Sequence, residues 1–267
     1  MTNIRQQFSG EPWLALGVLA SVPWFISYYF VGVGGHDDSH ITFYVARQLS
    51  TAGEYVNYNQ ETVEQSSSMG LVLILAALRL VTGASVPLLG YLVSMVGGSA
   101  AVGLTYALGK RLLKGADEDR ARSALLAAAT CATTWCFLYW STSAMEGSLA
   151  AAAAPALVLA MTRYEEQPKR VARIAWFALA LLLFITLRPE NVVIAFCAAI
   201  ALGVVLLRES EYRWWRSAVW LVGASAALTL VRLIAFGSAL PRTVAAKSGG
   251  FHWRGGLNYA LDSMAAS

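Results

Sequence analysis

The chain has 267 residues, of which 57% are apolar and only 13% are charged, against roughly 45–50% and about 25% in an average soluble domain. Its mean hydropathy is +0.53. These values exclude an ordinary soluble domain, a disordered chain, a disulfide scaffold and a coiled coil, and they predict an all-α polytopic membrane protein. The net charge of +4 does not indicate nucleic-acid binding, because in a membrane protein the positions of the positive charges matter more than their sum.

Seven apolar stretches approach the length that crosses a bilayer, which is about 20 mostly apolar residues. Several of them are short between their charges, so flanking residues must complete their ends. We therefore expect about seven transmembrane helices. The stretches are residues 13–33, 86–109, 123–140, 148–161, 174–187, 192–207 and 217–236.

A further apolar stretch, residues 69–81, is too short to span, because as a helix it covers only roughly 20 Å. It carries Arg79, and the three serines at 66–68 that precede it are residues that favour a helix N-cap. These features predict a helix that lies at the outer interface of the membrane.

The distribution of Lys and Arg predicts the orientation, because cytoplasmic loops carry an excess of both. With a cytoplasmic N-terminus and no span at residues 69–81, the cytoplasmic segments carry 13 Lys and Arg and the outer segments carry six. A span at 69–81 would move the cluster from Lys110 to Arg122 outside. The charges therefore favour seven spans with the N-terminus inside.

This topology collects four polar segments on the outer face, where any chemistry is expected. Mid-span charge is nearly absent apart from Arg232, which disfavours a transporter. As domains, we expect a seven-helix transmembrane module over residues 1–236, with an outer loop at 34–85. Residues 237–267 are expected to form an outer segment and the start of a further, apparently truncated region. The polar segments are residues 34–68, 141–147, 187–191 and those from 237 onward.

Short motifs follow one another through these outer segments. They are Asp37-Asp38, Ile41-Thr42-Phe43, Ala46-Arg47-Gln48-Leu49, Val63-Glu64, Ser143-Ala144-Met145-Glu146, Leu187-Arg188-Pro189-Glu190, and then Arg232, Gly237, Leu240-Pro241 and Ala246-Lys247. Their order resembles that of the GT-C glycosyltransferases, membrane enzymes that take sugar from a polyprenyl-phosphate donor. The last three groups are similar to the family's S-G-M-E-T, L-x-R-P-E and R…YG…LPNT…AK. The pattern looks most like the arabinofuranosyltransferase-type cell-envelope branch.

The resemblance implies an inverting glycosyltransferase on the outer face of a bacterial-type plasma membrane. Such a transfer needs a base that takes the proton of the acceptor hydroxyl, and the resemblance assigns it to Asp37 or Asp38 without deciding between them. Glu146 and Glu190 are expected to hold cations or bind sugar hydroxyls, and Glu64 to contribute to the substrate site or organise its loop. The leaving lipid phosphate needs nearby cations, for which the candidates are Arg188, Arg232, Arg242 and Lys247.

The expected partners are membrane lipid, the polyprenyl-phosphate sugar and a glycan or lipid acceptor, with membrane-protein partners left open. Residues 36–40, His-Asp-Asp-Ser-His, also permit a divalent metal ion, because alternate side chains of an extended chain point the same way. The alternative function is a non-catalytic GT-C-like scaffold or accessory subunit. The end of the chain at Ser267 favours that alternative, whereas Asp37-Asp38 and Arg188-Pro189-Glu190 favour an enzyme.

Overall fold

The fold is that of a computed structural model, which describes residues 12–26, 29, 37–209 and 214–243. Within these ranges the regular secondary structure is entirely helical, which confirms the all-α prediction. Ten helices follow one another there: α1 (Pro12–Ile26), α2 (Ser39–Ala52), α3 (Met69–Thr82), α4 (Val86–Leu112), α5 (Asp117–Thr133), α6 (Trp135–Thr142), α7 (Gly147–Glu166), α8 (Val171–Leu187), α9 (Glu190–Glu209) and α10 (Trp215–Phe236).

Two described helices, α4 and α10, are long and apolar enough to cross a membrane, and the bent pair of α5 and α6 adds a third if it forms one span. This finding supports a membrane protein. It does not confirm seven spans, because α8 contains only 17 residues and the described part of α1 only 15. At 1.5 Å per residue such helices cover at most about 26 Å, less than a hydrocarbon core of about 30 Å.

The helix ends agree closely with the expected boundaries. α4 begins at Val86, α8 ends at Leu187 and α10 ends at Phe236, as the apolar stretches predict. The short interfacial stretch is also helical, as α3. The hydroxyl of Ser68 accepts a hydrogen bond from the Leu71 N–H at 3.2 Å, so the serine run supplies the N-cap of α3.

The predicted helix over residues 123–140 is interrupted at Thr134, where α5 and α6 meet at a bend of 62°. Thr134 has an extended backbone, with φ −69° and ψ 121°. The hydroxyls of Thr133 and Thr134 donate to the carbonyls of Ala129 and Thr130 at 2.8 and 2.6 Å. Paired β-branched residues with such back-bonds weaken and bend a helix, which explains the interruption.

The outer loop contains a helix, α2, that the sequence analysis did not predict. Its buried face includes Phe43, Val45 and Ala46, and it packs against α3 and α4. The Phe43 ring occupies the space that Gly90 leaves open, because a Cβ atom at Gly90 would collide with that ring. Gly53 ends α2 with φ 74°, a conformation that glycine adopts readily.

α4 occupies the centre of the bundle and packs against α1, α2, α3, α5, α6 and α7. Glycines allow its closest approaches. A Cβ atom at Gly97 would lie 2.9 Å from the backbone nitrogen of Leu149 in α7 and 3.0 Å from the Ser148 hydroxyl. Gly103 on the same helix has open space at the corresponding position. The contact between α4 and α7 therefore depends on Gly97.

The end of α4 that begins at Val86 and the end that finishes at Leu112 carry different polar groups. At the Leu112 end, Arg111 and Arg173 both pair with Glu166. These pairs tie the end of α4 to the end of α7 and the start of α8. The turns between α6 and α7 and between α8 and α9 lie at the opposite end, together with the long loop between α2 and α3.

We predict that Gly97→Ala destabilises the protein by about 1–3 kcal/mol, because the added methyl group meets the backbone of α7. Gly103→Ala is the matched control on the same helix. It is expected to be neutral or to stabilise by up to about 1 kcal/mol, since alanine is the better helix former. Reversible unfolding in mixed detergent micelles measures both. Equal effects at the two positions would contradict the close contact of α4 and α7.

Candidate functional site

A cavity of about 1050 Å³ opens at the end of the bundle where α6 meets α7 and α8 meets α9. Four charged side chains line it: Asp38, Glu146, Arg188 and Glu190. They come from the start of α2, the turn before α7, and the turn between α8 and α9. Three polar segments that are far apart in the sequence are therefore brought to one place.

The turn before α7 positions Glu146 with a strained backbone. Ala144 has φ 56°, a left-handed conformation that costs a non-glycine residue about 1–2 kcal/mol. The Ser143 hydroxyl accepts a hydrogen bond from the Met145 N–H at 3.3 Å. Ala144 is 1% exposed, so surrounding packing holds the turn in this shape and directs Glu146 to the cavity.

The turn between α8 and α9 positions Arg188 through the proline that follows it. A residue before proline is driven out of the helical region, and Arg188 is accordingly extended, with φ −142° and ψ 134°. α8 therefore ends at Leu187, and α9 begins directly after Pro189. The Asn191 side-chain amide donates to the Phe184 carbonyl at 2.7 Å and satisfies one of the free carbonyls at the end of α8.

Arg188 binds two carboxylates in the cavity wall. Its guanidinium lies 2.7 Å from Glu146 and 2.6 Å from Glu190. The Glu146 side chain is 1% exposed, whereas that of Arg188 is 38% exposed. Burial lowers the pKa of the Arg188 guanidinium, but the hydrogen bonds to both carboxylates raise it further than burial lowers it. Arg188 therefore remains a cation that balances a buried carboxylate.

The two adjacent aspartates are placed differently. Asp38 lines the cavity. It is the N-cap residue of α2, yet its side chain makes no capping hydrogen bond, so its carboxylate is not occupied by the helix terminus. Asp37 is absent from the cavity wall, and its carbonyl accepts a hydrogen bond from the His40 N–H at 3.1 Å. Of the two aspartates, Asp38 is therefore the one that lines the cavity.

Glu64 and Arg232 bind each other instead of lining the cavity. Two hydrogen bonds of 2.9 and 3.0 Å join the guanidinium to the carboxylate, and the two side chains are only 1% and 2% exposed. Burial raises the pKa of Glu64, and the guanidinium of Arg232 limits that rise. Neither side chain is among those that line the cavity. The ion pair joins the loop after α2 to α10, and the expected part of both residues in substrate binding stays a prediction.

Arg242 also lies away from the cavity wall. Its guanidinium approaches Glu61 at 3.6 Å on the exposed surface, and its backbone N–H donates to the Glu64 carbonyl at 3.0 Å. Lys247 lies outside the described residues, so its expected role stays a prediction. Of the expected cations in the part of the chain that the structure describes, Arg188 is therefore the one that lines the cavity.

The cavity is acidic overall, because three carboxylates and one guanidinium face it. Like charges repel strongly where water is partly excluded, so this wall is poorly suited to a phosphate group. Within the described ranges, no three His, Cys, Asp or Glu side chains are grouped to hold a metal ion. The possible metal motif at 36–40 begins with His36, which lies outside those ranges.

Sequence reasoning missed the aromatic part of the cavity. Phe137 and Trp140 of α6 line it, together with Cys136. They face the cavity because the bend at Thr134 redirects α6, and a straight helix would not be expected to aim them there. The adjacent threonines were the available signal, since back-bonding threonines favour a bend.

No model of a known protein family matches this chain, and none of the curated proteins matches it. The residues of the cavity and the order of the motifs that supply them are therefore the basis for assigning a function.

We predict that Arg232→Met destabilises the protein by about 3–5 kcal/mol, because it leaves the buried Glu64 carboxylate without its cation. The double change Glu64→Leu with Arg232→Met should recover most of that loss. Arg242→Met is the control, and its exposed pair should be worth at most about 1 kcal/mol. Unfolding free energies in detergent micelles measure these effects. A double variant that loses the sum of both single losses would contradict a direct coupling.

Proposed function

We propose that this chain is an integral-membrane glycosyltransferase of the GT-C type. It transfers a sugar from a polyprenyl-phosphate donor to a cell-envelope acceptor on the outer face of a bacterial-type plasma membrane. The observation that carries the proposal is the convergence of Asp38, Glu146 and Arg188 on one cavity. Each belongs to a different motif of the glycosyltransferase pattern.

The composition of the cavity supports a polyhydroxylated ligand. Ionised carboxylates are pure hydrogen-bond acceptors, and sugar hydroxyls are donors that match them. The rings of Phe137 and Trp140 add apolar surface for the C–H face of a sugar. A cavity of about 1050 Å³ is large enough to hold a donor sugar and the hydroxyl of an acceptor.

Asp38 serves as the general base in this mechanism. Its carboxylate takes the proton of the acceptor hydroxyl as the hydroxyl oxygen attacks the anomeric carbon from the face opposite the leaving group. The bond from the anomeric carbon to the phosphate oxygen breaks, and its electron pair leaves with the lipid phosphate. Glu146 and Arg188 act as positioning residues, because their buried ion pair fixes one wall of the cavity.

The backbone at Ala144 is a further support for the assignment. Its φ of 56° is a conformation that glycine adopts without strain. The glycosyltransferase pattern S-G-M-E-T has glycine at that place in the motif. The left-handed turn here therefore agrees with the shape that the family motif requires.

A non-catalytic scaffold is the second candidate, and one observation favours it. Arg188 is bound by two carboxylates, so its charge is already neutralised without a ligand. A scaffold would keep this pair for folding alone. An enzyme needs an unpaired carboxylate at Asp38 to act as the base, whereas a scaffold does not. This requirement distinguishes the two candidates.

The proposed topology has seven spans, with the N-terminus in the cytoplasm and α3 on the outer side. Ser85 and Lys114 flank α4, which has 27 residues and is therefore about 40 Å long. In a background with all three cysteines changed to serine, Ser85→Cys should react with a membrane-impermeant maleimide in intact cells. Lys114→Cys should react only after permeabilisation. Labelling of Lys114→Cys from outside would overturn the orientation.

The catalytic proposal predicts that Asp38→Asn lowers sugar transfer by about 10²–10⁴-fold, the usual range for loss of a general base. Asp37→Asn is the matched control, and its effect should be far smaller because Asp37 does not line the cavity. The assay measures transfer from polyprenyl-phosphate sugars in membranes with equal amounts of each variant. Equal activity of wild type and Asp38→Asn would place the base elsewhere. Absence of any donor turnover by wild type would favour the scaffold.

A further inference from the structure

A second, smaller cavity of about 270 Å³ lies between α2 and the turn that joins α3 to α4. His40, Tyr44 and Arg47 of α2 line it, together with Arg79 of α3. The position of α2 is fixed by Phe43, whose ring packs against Gly90 of α4. The cavity is therefore built by packed helices and not by a loose loop.

This small cavity has the opposite charge to the large one. Two arginines and a histidine line it, and no carboxylate is among its lining residues. Within the described part of the chain, neither Arg47 nor Arg79 forms an ion pair. Arg79 donates to the Ala84 carbonyl at a long 3.4 Å. Both guanidinium groups therefore keep most of their donors available for an anion.

The cavity also lies at the boundary of the apolar bundle. Ser85, Val86 and Pro87 in its wall stand at the start of α4, a helix long and apolar enough to cross a membrane. The residues next to this wall in the sequence are apolar and exposed: Leu80 is 69%, Val81 85% and Leu88 43% accessible. An anionic group bound here would therefore have an exposed apolar surface beside it, against which a hydrocarbon chain could pack.

We propose that this small cavity binds the phosphate group of a membrane lipid. Arg47 and Arg79 bind the phosphate oxygens, and the acyl or prenyl chain lies along the exposed apolar residues that flank the wall. Guanidinium groups match phosphate geometry and form charge-assisted hydrogen bonds with it. A soluble phosphate would use the same two arginines but would gain nothing from the apolar rim.

This inference goes beyond the glycosyltransferase proposal and does not depend on it. It assigns phosphate recognition to Arg47 and Arg79, whereas the sequence offered Arg188, Arg232, Arg242 and Lys247 as candidates, of which Arg188 lines the large cavity. The reason is electrostatic, because Arg188 is surrounded by carboxylates and Arg47 and Arg79 are not. Only Ser39 separates Asp38, which lines the large cavity, from His40, which lines the small one.

The test measures binding of decyl phosphate to the purified full chain in micelles of a neutral detergent, by calorimetry at constant detergent concentration. Wild type should bind decyl phosphate at least about tenfold more tightly than inorganic phosphate, since only the former carries an alkyl chain. Combined Arg47→Gln and Arg79→Gln should weaken binding by about tenfold or more, because hydrogen bonds to charged groups are worth about 1.5–3 kcal/mol each. The double change to lysine should keep part of the affinity.

Two further variants test whether binding is specific to the small cavity. Arg122→Gln removes one exposed charge near the other end of α4, where Arg122 pairs with Glu118, and it should leave binding unchanged. Arg188→Gln tests the large cavity and should also leave decyl phosphate binding within twofold. Unchanged melting temperatures verify that the Arg47 and Arg79 variants are folded. Sugar transfer is not measured, so an inactive enzyme does not affect the result.

Three outcomes would overturn the inference. The first is no detectable binding of decyl phosphate to wild type. The second is equal binding by wild type and the double glutamine variant, or a loss confined to Arg188→Gln, which would move the phosphate to the large cavity. The third is inorganic phosphate binding as tightly as decyl phosphate, which would identify a site for a soluble anion and not for a lipid.

Discussion

The ion pair between Glu64 and Arg232 is the constraint on which this end of the molecule depends. Its partners are 168 residues apart in sequence and almost completely buried. Charges in such surroundings persist only when they are paired and hydrogen-bonded, so the loop between α2 and α3 must reach α10. The Arg242 N–H bonds to the Glu64 carbonyl, which draws the segment after α10 to the same loop. The loop in turn brings Ser67 into the wall that contains Glu146.

Two cavities of opposite charge are lined by residues at the start of α2. Asp38, the N-cap residue of α2, lines the large acidic cavity, and His40, Tyr44 and Arg47 of the helix line the small basic one. A carboxylate-rich wall suits hydroxyl donors, and an arginine-rich wall suits an anion. The segment at the start of α2 therefore contributes a charged residue to each cavity.

Only part of the candidate site could be predicted from the sequence. The order of the motifs predicted that Glu146 and Arg188 belong to one site, and both line the same cavity. It assigned Arg232 to the same ligand, but nothing local in the sequence reveals that Glu64 is its partner. Only the backbone at the start of α2 showed that Asp38 lines the cavity and Asp37 does not. Trp140 lines the cavity from α6, the helix that follows the bend at Thr134. A pattern of apolar residues does not predict such a bend.

The pattern of apolar residues alone determined that this protein is helical and associated with a membrane. It also determined that one helix begins at Val86 and that two others end at Leu187 and Phe236. Those properties follow from residue type and spacing, because each helix satisfies its own backbone hydrogen bonds. The tertiary structure decided which charges are neutralised and which remain available. A guanidinium pairs with whichever carboxylate the packing of the helices brings close to it. The distance between the two groups cannot be predicted from the sequence. Arg188 and Arg232 are paired for this reason, while Arg47 and Arg79 remain free of any carboxylate that the structure describes.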